Sequence, residues 1–121
     1  MGGAEQTAWL TDLDEEVLTQ LCRVGGQDLV TELMRLYLTH TPERMRRARR
    51  ALAQGDLRRA AKAVHSLRSS SATLGAAELA AVLAGVEAAA DRGDAEVVSR
   101  GWPGIEDRVA LLLEQLEERL A

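Results

Sequence analysis

Apolar residues recur at steps of three and four through most of the chain, and this period constrains the fold more than any other feature of the sequence. In the stretch AKAVHSLRSSSATLGA, residues 61–76, the pattern places Val64, Leu67 and Leu74 on one face. Such a period is typical of the buried face of an α-helix. No stretch alternates apolar and polar residues as a half-buried strand does, and no internal repeat is present. The sequence therefore predicts an all-α protein.

Glycine and aspartate mark the expected ends of the helices. Gly55-Asp56 and Gly93-Asp94 each predict the end of one helix and the start of the next, because glycine takes the left-handed conformation and an aspartate oxygen caps free backbone amides. Gly75 is expected to end the central helix. Asp14 is expected to cap a first helix that stops at Gly25-Gly26. The short links predict an antiparallel up-and-down four-helix bundle with an additional N-terminal helix.

Two prolines fall inside the apolar pattern. Around Pro42 we expect a continuous but bent helix that runs to about Ala53, and a break, with Thr41 as the cap of a new helix, is the alternative. The segment Gly101–Gly104, which contains Pro103, is expected to bend or break the last helical region before a final helix.

Chain length and composition predict the number of domains and the cellular compartment. The two glycines near the start predict a mobile N-terminal segment at 1–10, and Trp9 with Leu10 makes a short docking helix the alternative. The length of 121 residues predicts a single helical domain over 11–121. With 2% aromatic residues, the core must be built from leucine, valine and alanine.

The single cysteine, Cys22, is expected to be a buried small hydrophobe in a reducing cytoplasm. No apolar run approaches the roughly 20 residues that span a bilayer, so no membrane association is expected.

Charge is segregated along the chain. Residues 44–68 hold nine cations and one acid, Asp56, although the whole chain has a net charge of -4. This basic zone favours an acidic partner. Its arginines have no interleaved aromatic residues for base stacking, so nucleic-acid binding is not expected.

The run from His65 to Ala76, HSLRSSSATLGA, resembles the phosphorylation motif of histidine phosphotransfer (HPt) domains. That family usually reads His-x-Leu-Lys-Gly-Ser-Ser/Ala-x-x-Leu/Ile-Gly-Ala, and the likeness extends from about Leu13 to about Asp94. Arg68 stands where the family usually has lysine, and Ser69 where it usually has glycine.

The resemblance implies a phosphorelay carrier. Nε2 of His65 would take a phosphoryl group from the aspartate of a receiver domain and pass it to another receiver, with Lys62, Arg68 and Ser69 around the phosphate. The Mg²⁺ would come from the receiver, so neither a cofactor nor a metal site is expected in this chain. The implied partners are response-regulator receiver domains or a hybrid histidine kinase, and the implied state is a monomer.

A docking surface for the receiver is also expected. Counting across the links between helices puts His65 level with Arg44 on one neighbouring helix and with Val86 on the other. This count places Arg44, and with it Arg47, near the imidazole. Arg58 and Ala72 share the side of the helix that carries His65, so we expect a receiver to contact Arg44, Arg47, Arg58, Ala61 and Ala72. Ser69 either crowds the incoming receiver or turns its hydroxyl back to the carbonyl of His65.

Other functions compete with this interpretation. The departures at Arg68 and Ser69 leave open a helical module that binds a receiver or a kinase without carrying phosphate. An arginine-faced nucleic-acid binder is a third hypothesis. A dimeric phosphotransferase of the histidine-kinase type usually carries an ATP-binding domain as well, for which 121 residues leave no room.

Overall fold

A computed structural model describes residues 13–121, so the expectation for residues 1–10 lies outside the described residues. Four helices make up this part of the chain: α1 (Glu15–Ala53), α2 (Leu57–Thr73), α3 (Ala77–Asp91) and α4 (Ala95–Leu120). The all-helical class is confirmed within it. The antiparallel up-and-down order that the short links favour stays a prediction. No helix within 13–121 is both long and apolar enough to cross a bilayer.

The predicted caps and glycine stops are confirmed. The carboxylates of Asp14, Asp56 and Asp94 accept hydrogen bonds from the first-turn backbone amides of α1, α2 and α4 at 2.9–3.2 Å. Gly55, Gly75 and Gly93 all have positive φ. The starts of α1, α2 and α4 and the three glycine stops therefore follow from local chemistry, in which a carboxylate satisfies amides that the helix leaves free and glycine reverses the chain. α3 begins after Ala76 without a side-chain cap.

The segment expected to form the additional N-terminal helix is joined to the next helix across a kink at Gly26. Its residues form the first part of α1, up to Gly26, where φ is 75° and ψ is -178°. Helical conformation resumes directly after this residue and continues through Pro42 to Ala53. The stop at Gly25-Gly26 is thus confirmed as a local interruption, and the continuous helix at Pro42 is confirmed over the alternative of a break.

The last helix passes through its proline without interruption. α4 runs from Ala95 to Leu120 and includes Pro103, so the break expected as one outcome at Gly101–Gly104 is wrong. Proline removes one backbone hydrogen bond from a helix interior. Packing offsets this loss, because Trp102 and Ile105 on either side of the proline are buried in the core.

The core is built mainly from leucine, valine and alanine, as the composition predicts. α2 packs against both α1 and α3, and its residues Val64 and Leu67 are almost completely buried. Ser71 is buried on the same face, where its hydroxyl hydrogen-bonds to the hydroxyl of Tyr37 on α1 at 2.9 Å. Cys22 is only half-buried at the edge of the core, which corrects the expectation of a buried position. The tight packing of α2 on two sides fixes the direction of its remaining face.

Candidate functional site

His65 lies in the middle of α2 and points away from the core. It follows the buried Val64 by one residue, so the helical turn of about 100° carries its side chain to the edge of the buried stripe. The side chain is 57% exposed. A regular helix packed on two other helices therefore presents an imidazole to solvent on a rigid support.

The carboxylate of Glu87, on α3, holds the inner nitrogen of the imidazole. Oε2 of Glu87 lies 2.9 Å from Nδ1 of His65, and Oε1 accepts a hydrogen bond from Nε of Arg68 at 2.7 Å. A terminal nitrogen of Arg68, Nη2, lies 3.1 Å from the same Nδ1. One carboxylate thus joins a histidine and an arginine of the neighbouring helix into a cluster of three side chains.

The pKa of Glu87 lies below its ordinary value of 4.5. Desolvation at this largely buried position raises the pKa, but the hydrogen bonds and positive charges of Arg68 and His65 outweigh that effect. Glu87 is therefore ionised at neutral pH and can only accept hydrogen bonds.

The ionised carboxylate decides which nitrogen of His65 carries hydrogen. A neutral imidazole has one N–H and one lone pair, and a lone pair on Nδ1 would face the carboxylate without a hydrogen between them. Nδ1–H therefore donates to Glu87. Nη2 of Arg68 is itself a donor, so its approach to the same nitrogen at 3.1 Å is a contact and not a hydrogen bond. This leaves the lone pair on Nε2, which has no hydrogen-bond partner among residues 13–121. The arrangement presents an unprotonated nitrogen nucleophile.

An open cleft of about 530 Å³ surrounds the imidazole on one side. Among the residues expected to form the site or its docking surface, the structure brings Arg58, Ala61 and Lys62 into this cleft beside His65. Ala61 is buried and offers little surface, whereas Lys62 is exposed and has no ion pair or hydrogen bond within residues 13–121. Lys62 is thus the unpaired cation nearest to the imidazole along the helix.

Besides Arg68, which binds Glu87, four predicted residues lie outside the cleft. Ser69 and Ala72 are exposed further along α2. Arg44 and Arg47 line a different groove, between α1 and α2. Arg44 also reaches the hydroxyl of Ser70 at 3.4 Å. Counting residues across the links gave the level of Arg44 and Val86 along the helix axis correctly to within about one turn. Such a count does not tell on which side of the helix a residue lies. α1 and α3 pack on different sides of α2, and the imidazole faces α3.

Sequence reasoning missed the acidic side of the site. Glu87 contacts the imidazole, and Asp91, one turn further along α3, lines the same cleft. Three cations, Arg58, Lys62 and Arg68, and these two carboxylates lie around His65, so the local net charge is +1. The stretch 44–68, with nine cations and one acid, suggested a much more positive site. The signal for Glu87 was present, since it follows Val86, the residue that the count placed level with His65.

A helical bundle whose second helix presents an exposed histidine, with Nδ1 held by a carboxylate and Nε2 without a hydrogen-bond partner among residues 13–121, has the architecture of a histidine-containing phosphotransfer protein. The family model described as Hpt domain matches residues 32–119, and the chain belongs to this family. It therefore acts as a phosphotransfer carrier in phosphorelays, and carries the phosphoryl group rather than catalysing turnover.

One solved structure supports the same assignment. It is the crystal structure of histidine-containing phosphotransfer protein B (HptB) from Pseudomonas aeruginosa PAO1, with a TM-score of 0.83 and 25% sequence identity. The match covers 90% of this chain and 94% of that chain. A comparison with curated proteins gives no match.

Proposed function

We propose that Nε2 of His65 accepts a phosphoryl group from the aspartyl phosphate of a receiver domain and passes it to the aspartate of a second receiver. The lone pair of Nε2 attacks phosphorus, the bond between phosphorus and the aspartate oxygen breaks, and the carboxylate leaves with the bonding electrons. The return step to the second receiver reverses this sequence. The observation that supports the proposal best is the hydrogen bond from Nδ1 to Glu87, which leaves Nε2 unprotonated.

Glu87 has a second role in this proposal. When Nε2 forms its bond to phosphorus, the ring gains positive charge while Nδ1 keeps its hydrogen. The carboxylate 2.9 Å from Nδ1 stabilises this charge. The receiver supplies the Mg²⁺ and most of the transition-state stabilisation.

Lys62 is the cation that we assign to the phosphoryl group on His65. Lys62 is free of ion pairs within the described residues, whereas Arg68 already binds Glu87 at 2.7 Å. Arg68 acts through Glu87, as a positioning residue that keeps the carboxylate ionised and in place. The exposed Arg58, Ser69 and Ala72 form the surface that the receiver contacts, in a monomeric cytoplasmic carrier, and the buried Ala61 adds little area to it.

Labelling tests the proposal directly. Incubation of the chain with a phosphorylated receiver is expected to transfer an acid-labile, base-stable label to this chain, and His65→Gln is expected to abolish it. His40→Gln is the matched control, because His40 is the other histidine of the sequence and is exposed on α1. A wild-type chain that stays unlabelled with a panel of receivers would contradict the proposal.

A helical module that binds a receiver or a kinase without carrying phosphate is the second candidate. The pairing of Arg68 with Glu87 favours it, because the motif cation is engaged within the protein. This function predicts partner binding that survives His65→Ala, together with no labelled histidine in the wild type.

A further inference from the structure

A second concave surface lies between the C-terminal part of α1 and the first half of α2. It encloses a volume of about 580 Å³, and its lining includes five cationic side chains: Arg44, Arg47, Arg50, Arg59 and Lys62. The other lining residues are neutral: Ala51, Gln54, Ala63 and Ser66. No carboxylate belongs to the lining among residues 13–121. We call this surface the cationic groove.

The charges in the cationic groove are only weakly compensated. Arg47 pairs with Glu43 at 3.4 Å and Arg59 with Asp56 at 3.5 Å, and both pairs are exposed. Exposed pairs of this kind contribute about 0–1 kcal/mol and are screened by salt. Arg50 and Lys62 have no ion pair within the described part of the chain. Like charges held in one concavity repel each other, so an anion that enters the groove relieves repulsion and gains attraction.

The types of side chain indicate the chemistry of that anion. Guanidinium groups bind both phosphate and carboxylate oxygens through two parallel hydrogen bonds. A polyphosphate offers several charged oxygens to the five cations of the groove at once, whereas a single carboxylate offers two oxygens and one charge. The groove volume lies in the range of roughly 300–1,000 Å³ that small-molecule sites occupy. Gln54 and Ser66 add neutral hydrogen-bonding groups. Ala51 and Ala63 have small side chains and therefore leave space in the groove for a ligand.

We propose that the cationic groove binds a multiply charged phosphate compound of about the size of a nucleoside polyphosphate. This assignment does not depend on phosphotransfer at His65, which lies in the separate cleft facing α3. The two sites nevertheless share Lys62 and Ser66 in their linings, so an anion in the groove would engage a cation that also borders the histidine.

Calorimetric titration of the full chain with sodium tripolyphosphate and with ATP tests the assignment, in metal-free buffer at constant ionic strength. We expect one site per chain. We expect Arg47→Gln/Arg50→Gln to weaken binding at least tenfold, and Lys62→Gln to weaken it by a smaller factor. Arg23→Gln/Arg35→Gln is the matched control, because it removes the same charge from exposed positions of α1 outside the groove and is expected to bind as the wild type does.

Three outcomes would overturn the assignment. One is the absence of saturable binding to the wild type at millimolar probe. Another is an equal loss of affinity in the groove variant and the control variant, which would mean that net charge alone attracts the probe. The last is tighter binding of a hexaglutamate peptide than of either phosphate probe, which would identify the groove as a docking surface for an acidic protein segment. His65→Gln is expected to keep phosphate binding, so a failure of the relay function would be seen separately.

Discussion

Glu87 and His65 are 22 residues apart in sequence, and the carboxylate of one lies 2.9 Å from Nδ1 of the other. The contact joins α3 to α2 and fixes both the orientation of the imidazole and the nitrogen that carries its hydrogen. The same carboxylate binds Arg68, so its own position is fixed by two bonds. The chemistry proposed for His65 therefore depends on a residue outside the sequence motif.

Replacing Glu87 by alanine is expected to slow phosphotransfer without abolishing it. Loss of a hydrogen bond to a charged group costs about 1.5 kcal/mol, or roughly tenfold in rate. Glu87→Gln keeps an acceptor oxygen for Nδ1 but loses the negative charge, and it is expected to transfer at a rate between those of the wild type and Glu87→Ala. Single-turnover transfer from a labelled receiver measures the effect. Glu78→Ala removes an exposed carboxylate from the same helix and serves as the control; equal rates for Glu87→Ala and Glu78→Ala would exclude the positioning role.

The lowered pKa of Glu87 predicts a dependence of stability on acid. The folded state holds the ionised carboxylate more strongly than the unfolded state does, because Arg68 and His65 bind it. This contribution is fully present above the unfolded pKa of about 4.3, and it is lost as the pH falls through the lower pKa of the folded protein.

Urea unfolding of the wild type and of Glu87→Gln between pH 6 and pH 3 measures this contribution. The difference in the free energy of unfolding between the two is expected to shrink as the pH falls below about 4.5, because glutamine does not titrate. Glu117→Gln on α4 is the control, since Glu117 is exposed and has no ion pair within residues 13–121. A constant difference across the range would contradict the assigned role of the carboxylate.

Helix ends could be predicted from the sequence because their causes are local. The caps at Asp14, Asp56 and Asp94 use amides no more than three residues away. The contact between His65 and Glu87 is different in kind. It depends on how two helices rotate about their axes when they pack, and the spacing of residues gives only the level along the axis.

Packing between helices also explains why the structure differs from two other expectations. Arg44 was expected near the imidazole because it lies at a suitable level, but it faces a groove on a different side of α2. A break at Pro103 was one expected outcome, because proline lacks a backbone hydrogen-bond donor. Burial of Trp102 and Ile105 by the rest of the protein keeps α4 helical, and that contribution is not visible in the segment itself.

Gly75 is expected to tolerate substitution less well than the other glycines that end helices. Its φ is +81°, and a Cβ atom added there would lie 2.9 Å from Cβ of Val17 on α1. Gly93 has a similar φ of +77° but nothing within 4 Å of the same position. The two alanine variants therefore share the backbone cost of about 1–2 kcal/mol, and Gly75→Ala adds a steric cost of roughly another 1–3 kcal/mol. Chemical denaturation measures both; equal losses would show that α1 moves away freely at this point.

The hydrogen bond between Tyr37 and Ser71 is expected to couple α1 to α2 inside the core. Both residues are buried, and their hydroxyl oxygens lie 2.9 Å apart. Tyr37→Phe and Ser71→Ala are each expected to lower the free energy of unfolding by about 1 kcal/mol, because each leaves the other hydroxyl without this partner. The double variant is expected to lose less than the sum by about 0.5–1.5 kcal/mol. Strict additivity in this cycle would mean that the bond makes no net contribution.

Ser69→Gly restores the residue that the family motif usually has, and it is expected to speed transfer from a receiver. Ser69 is exposed one turn after His65, and its hydroxyl makes no hydrogen bond to the carbonyl of His65 within the described residues. The side chain therefore occupies space beside the imidazole that glycine would leave open to the incoming partner. We expect a gain of roughly threefold, which corresponds to about 0.7 kcal/mol.

Ser69→Ala separates crowding from the chemistry of the hydroxyl, because alanine keeps the Cβ atom and removes the oxygen. If the Cβ atom causes the crowding, Ser69→Ala transfers at nearly the wild-type rate and only the glycine variant is faster. Glycine also weakens the helix by about 0.5 kcal/mol relative to serine, so rates are compared well below the melting temperature of each variant. A glycine variant that is fully folded and yet slower than the wild type would show that Ser69 assists the receiver instead of crowding it.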